Sequence, residues 1–202
     1  MNCQPNDWSL MPERSRYHLN TANLTSYEDR FRQLYWRIIW THKIHEKQAD
    51  IYSAERTRVD VSAMVLTAVS GCGILAASQL ATLPFNVIPI AIAAAAIFLD
   101  LKSHITDYGA MITEQRMSAK RFLSLREESL DLIAATHDDA LDQDAACSAL
   151  ASLEIEYERA CCLSPRTTGR AVAQAEKALG GGDVLASDEK IDQFLPERLR
   201  RS

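Results

Sequence analysis

The sequence predicts an all-α protein: a two-helix transmembrane hairpin extended into a cytosolic helical bundle. Three observations predict it. Charged residues make up 24% of the 202 positions, yet none of the 39 residues from Val61 to Leu99 is Asp, Glu, Lys, Arg or His. On either side of that run, apolar residues recur at helical spacing, and no alternating strand pattern is seen. Neither Pro nor Gly interrupts the chain between Ser26 and Ser70.

Residues 1–25 hold Pro5 and Pro12 among small polar residues without periodicity, so they read as a flexible N-terminal segment. Residues 26–195 form the main domain. Ser26 is the expected N-cap, followed by acidic Glu28 and Asp29 in the first turn. Phe31, Leu34, Tyr35, Ile38 and Ile39 then mark one face of a long helix that continues into the apolar run, with Trp36 and Trp40 as packing residues. A straight helix over the whole run would be about 58 Å long, roughly twice the hydrocarbon thickness of a bilayer. Cut at the stretch SQLATLPFN, Ser78 to Asn86, it becomes two spans, about 59–81 and 84–101. Pro84 lacks an N–H and disfavours helix in the residue before it, which suits a turn there. Lys43, Lys47, Arg56 and Arg58 precede the first span, Lys102 follows the second, and the turn has no basic residue. By the positive-inside rule both termini are cytoplasmic. The alternative is a soluble bundle with two central helices, favoured by the many alanines and by Pro89 within the second span.

From Asp100 to about Ala135 a further helix is expected, with Ile105, Tyr108, Ile112, Ala119, Phe122, Leu125, Leu130 and Ile133 mostly on one face. Thr136-His137-Asp138-Asp139 breaks the chain, and Ala140 to Leu163 forms the next helix. Ser164-Pro165 opens another that stops at Gly180-Gly181-Gly182. A short helix from Ser187 to about Leu195 follows, and residues 196–202 read as a basic tail carrying Arg198, Arg200 and Arg201.

Small residues four apart, such as Ala63, Thr67 and Gly71, or Gly73 and Ala77, allow close helix approach in lipid. The candidate pore or packing face is therefore Thr67, Ser70, Gly71, Gly73 and Ser78, with Ile74 between them; packing within the hairpin is the simpler reading. Two helices cannot enclose a pore, so conduction would need a homo-oligomer. Counting 1.5 Å per residue from the turn puts Asp60 level with Asp100 and Tyr52 level with Tyr108. The helices below the hairpin should thus pair antiparallel. Asp60 with Lys102, or Arg58 with Asp100, would pair at a cytosolic mouth, against the alternative of ordinary interfacial charge.

His42, His45 and Glu46 share a helix face, but His104 lies too far along to join them, so no metal site is expected. The five cysteines, Cys3, Cys72, Cys147, Cys161 and Cys162, are odd in number and scattered, which suits reduced, partly buried thiols. There is no GxSxG, HExxH, Walker loop or GxGxxG, so neither enzymatic activity nor a cofactor is expected. A net charge of −5 argues against nucleic acid as a partner. The polar first 58 residues predict no signal peptide.

The order of parts, with HKIHEKQADIYSAERTR on the first helix and LEIEYERACCLSPRTTGRAVAQAEKAL near the end, resembles the SLATT family of bacterial two-transmembrane effectors. That resemblance implies a multi-pass protein of the bacterial inner membrane that oligomerises, forms pores and acts in antiphage defence. It also implies a trigger from a nucleotide-signalling or sensor protein, expected here as a separate chain. The competing expectation is a membrane-anchored scaffold that docks a partner without conducting.

Overall fold

A single helix, α1 (Leu24–Leu80), runs unbroken for 57 residues, about 85 Å at 1.5 Å per residue. The computed structural model describes the backbone of residues 24–80, 83–138, 140–181 and 186–201, and their side chains except at 24–26, 74–80, 83–89, 103 and 104. Helix α2 (Leu83–Ile105) returns along α1, and α3 (Tyr108–His137) continues in the same sense. His42 lies against Ala119, His45 against Gln115, and Arg56 beside Gly109, so α3 is antiparallel to α1, as the residue count predicts. Helices α4 (Gln143–Leu163), α5 (Gly169–Ala178) and α6 (Asp188–Asp192) and a 3₁₀ turn (Glu197–Leu199) complete the chain. All regular structure among the described residues is helical.

Several boundaries differ from those read in the sequence, each for a local reason. The chain is already helical at Leu24, ahead of the expected cap at Ser26. The expected turn narrows, because α1 continues to Leu80 and α2 starts at Leu83; Ala81 and Thr82 lie outside the described residues. The helix expected from Asp100 to Ala135 is broken at Thr106-Asp107. There the Asp107 carboxylate accepts from the Ala110 N–H at 2.9 Å and starts α3 afresh, which is the N-cap chemistry that pulls Asp out of helix interiors. Pro165 does not open α5. Thr168 does, as its N-cap, after an extended Ser164. Gly180 and Gly181 end α5 with φ of 75° and 74°, a backbone region that only glycine enters without strain.

The core lies at the N-terminal half of α1. Phe31, Trp36 and Ile38 are fully buried against Phe122 and Ile133 of α3, Leu153 of α4, and Ile191 and Leu199 of the C-terminal segment. Trp36 and Trp40 are buried together, as expected of packing residues. From what the sequence presented as a basic tail, Leu199 joins this core, while Arg198, Arg200 and Arg201 stay exposed. Arg32, with 0% exposure, donates to the Leu199 carbonyl at 3.0 Å and forms a close ion pair with Asp192. Tyr35 donates its hydroxyl to the Phe194 carbonyl at 2.8 Å, and Arg201 pairs with Glu28 and Asp29 at the start of α1.

A buried charge is tolerable only while its partners stay in place. Arg32→Met should therefore cost about 3–5 kcal/mol by stranding Asp192, whereas Arg32→Met with Asp192→Leu should regain much of it. Urea unfolding followed by circular dichroism checks both.

Candidate functional site

The hairpin carries its side chains in an unusual order. Facing outward are Val61, Met64, Val65 and Val69 on α1 and Ile90, Ile97, Phe98 and Leu101 on α2, each at least half exposed. Facing inward are Ser70, 5% exposed, and Ala96, also 5%, flanked by half-buried Ala63 and Gly73. In water the large apolar residues would be inside. Here the most buried positions are small, with Leu66, Ile92 and Leu99 only half-buried beside them, and most of the large residues form an open apolar band. Among the described residues, no helix is long and apolar enough to cross a membrane; the middle of the expected hairpin, residues 74–89, lies outside the described side chains.

The candidate face divides. Ser70 is buried and Gly73 half-buried against α2, whereas Thr67, at the rim of the groove between the two helices, and Gly71 are exposed, and a Cβ added at Gly71 would meet nothing within 4 Å. The hydroxyls of Thr67 and Ser70 donate to backbone carbonyls of their own helix, Ala63 at 2.8 Å and Thr67 at 3.0 Å. Such back-bonding satisfies a hydroxyl without water. The side chains of Ile74 and Ser78 lie outside the described residues.

At the base of the hairpin, Asp60 and Asp100 line one groove of about 580 Å³ with Ala63, Thr67 and Ala96, so the two carboxylates are level, as the count from the turn places them. An ion pair at Asp60 is made within α1, to Arg56 at 3.6 Å. Arg58 and Lys102 are exposed. A smaller polar cavity of about 370 Å³ joins Arg56, Asp60 and Asp100 to Asp107 and Tyr108, where α2 gives way to α3.

One level below, the two histidines act as side-chain ties between α1 and α3. His42 Nδ1 lies 2.8 Å from the Ala119 carbonyl, and its Nε2 is 4.0 Å from Glu46, which Lys43 also contacts at 2.8 Å. Buried His45 lies 2.6 Å from Gln115 Oε1. One turn of α1, from His42 to His45, thus puts its imidazoles on α3, which gives the two histidines a packing role. Among the described residues no group of three His, Cys, Asp or Glu is placed to hold a metal ion; the His104 side chain lies outside them. Sequence reasoning missed Gln48 and Gln115. Gln48 Oε1 accepts from both the N–H and the hydroxyl of Thr168 at 2.8 Å, and Gln115 Nε2 donates to the Arg166 carbonyl at 3.1 Å. The QAD and SPRTTG stretches therefore meet in space, and only the polar residues on an otherwise apolar face hinted at it. Cys161 and Cys162, expected to be partly buried, are exposed because the buried side of α4 is taken by Leu153 and Ala160.

The sequence profile of the SMODS and SLOG-associating 2TM effector domain family 4 matches residues 27–190, which takes in α1 to α5 and most of α6. No curated protein and no solved structure gives a match.

Ser70 and Gly71 are neighbours with opposite surroundings, so they should respond differently. Ser70→Leu should overpack the α1–α2 contact and cost about 1–3 kcal/mol. Gly71→Ala should instead stabilise by up to about 1 kcal/mol, since Ala is the better helix former and its methyl has room. Thermal unfolding of the purified variants reads both signs.

Proposed function

Because the chain belongs to the SMODS and SLOG-associating 2TM effector domain family, family 4, we propose that it is a bacterial inner-membrane effector that assembles into a homo-oligomer and permeabilises the bilayer. The family's description, a two-transmembrane effector domain that associates with SMODS and SLOG partners, supports this reading. The observation that carries the reading further is the hairpin's exposed apolar band, with Met64, Ile97 and Phe98 outside while Ser70 and Ala96 are buried. Lipid tails are as apolar as these side chains, so in a bilayer the exposed band carries no hydration penalty. Both long arms then lie in the cytosol, where Arg56, Arg58 and Lys102 flank the hairpin and the bundle receives a signal from a separate sensor in antiphage defence.

The back-bonded hydroxyls bear on how the oligomer forms. With Ser70 turned to α2, a water-filled lumen would draw on the outward residues Thr67 and Gly71 of several hairpins. The second reading, a membrane-anchored scaffold without conduction, shares the hairpin and differs only in leakage.

Two measurements test this. In a chain with Cys3→Ser and Cys147→Ser, an impermeant maleimide should label Cys162 in inverted vesicles and leave Cys72, exposed on the hairpin, unlabelled. Equal labelling of the two would put the apolar band in water and end the membrane reading. Liposomes carrying the full chain should release an entrapped dye, with release altered by Thr67→Leu; no release at any density favours the scaffold.

A further inference from the structure

The groove between the two arms of the hairpin and the opposite side of α1 differ in shape and in charge. Ala63 and Ala96 floor the groove, of about 580 Å³, Met64 and Ile97 stand exposed on either side of it, and Asp60 and Asp100 close its lower end. The two cavities that meet at this level are lined by three carboxylates, Asp60, Asp100 and Asp107, and by one cation, Arg56, so the lower end is net negative. Away from α2, Val61, Val65 and Val69 are exposed at 51%, 54% and 50%, and Arg58 is exposed one turn below Val61. Spaced i, i+3, i+7 and i+11, Arg58 and the three valines share one face of α1. At about 100° per residue, that face lies roughly 150° around the helix from Asp60, Ala63 and Thr67. No copy can seat its own ridge in its own groove.

We infer that the groove is filled by a second copy of this chain: the ridge of Arg58, Val61, Val65 and Val69 on one hairpin seats between Met64 and Ile97 of the next, with Arg58 against the next copy's Asp60 and Asp100. This deepens the proposed homo-oligomer and rests on the membrane reading, because a shared bilayer holds every apolar band at one depth. With copies parallel and level, Arg58 lies two residues below Asp60, about 3 Å along the axis and within the reach of an arginine side chain. Above that pair, branched valines fall opposite the alanines of the groove, and small residues of this kind let helices approach closely in lipid. The charge fixes the depth. A copy shifted by one turn would set Arg58 against apolar side chains, where an unpaired charge is costly. An acyl chain would cover the same alanines with no fixed partner for the carboxylates.

Ridge and groove are different surfaces, so the contact is head-to-tail and repeats from copy to copy, closing a ring where the rotation allows. Thr67, at the rim of the groove, then borders the seam between copies.

Disulfide trapping in membrane vesicles tests the contact. The full chain with Cys3→Ser, Cys72→Ser, Cys147→Ser, Cys161→Ser and Cys162→Ser carries Val65→Cys on the ridge and Ile97→Cys beside the groove. Oxidation with copper phenanthroline should give a ladder of dimers, trimers and larger species, whereas either new cysteine alone should give none. Arg58→Asp should lower the yield of the ladder several-fold, and adding Asp100→Arg, which reverses the pair, should restore it. The same two charge variants are read again as the size of the detergent-solubilised chain with its own cysteines, so a cysteine pair that folds poorly leaves the test intact. Dimers from one new cysteine alone would mean a two-fold contact and overturn the head-to-tail seam. A membrane-bound chain that gives no ladder and keeps its size with Arg58→Asp leaves the groove to lipid; the inference falls and the membrane reading stands. A chain that stays out of the vesicles overturns both.

Discussion

Everything in this protein is organised by the continuity of α1. One helix serves as the first arm of the hairpin and as the backbone of the bundle, and α2 and α3 both run antiparallel to it. Between Ser26 and Val69, across the junction of bundle and hairpin, α1 has none of the residues that usually kink a helix; Ser70-Gly71 and Gly73 fall within the hairpin itself. Movement between hairpin and bundle must therefore be taken up elsewhere. The break at Thr106-Asp107 is one such place, since the helical hydrogen-bond ladder is interrupted there and α3 restarts on its own cap.

The bundle end of α1 is held by polar contacts embedded in apolar packing. Arg32 is enclosed by Asp192, Asp188 and the Leu199 carbonyl, all from the last part of the chain. A buried ion pair adds little net stability against an apolar replacement, but an arginine in the wrong register would be left with an unpaired charge. The contact thus favours one seating of the C-terminal segment over others. His45 and Gln48, about four turns further along α1, and Gln115 of α3 do the same, each with a partner on another element. Specificity of assembly comes from these polar layers, while the Phe31, Trp36 and Phe122 cluster supplies the bulk of the burial.

The hairpin follows the opposite logic. Its most buried residues are small, its outer surface is largely apolar, and the hydroxyls of Thr67 and Ser70 are satisfied by their own helix. A surface of that kind is stable where water is scarce. Joined through continuous α1 to an ion-paired bundle, it gives the chain one end rich in charged contacts and one end with an exposed apolar band.

How much of this was legible in sequence depends on the range of the interactions involved. Helical class, the long α1, the antiparallel pairing and the level of Asp60 with Asp100 follow from periodicity and rise per residue, which are local properties. The membership of the family was also readable, from the order of the parts. Asp107 and Thr168 were missed as caps although their signals are local, because apolar residues continue at helical spacing through Asp107 and Pro165 offered a stronger apparent start. The tertiary structure alone decided that the C-terminal segment seats Leu199 in the core with its carbonyl on Arg32, that Gln115 reaches Arg166, and that the QAD and SPRTTG stretches meet. Those facts rest on contacts across 51 to 167 residues of sequence, and a side chain's burial and protonation are set by what arrives from such distances, which no local pattern encodes.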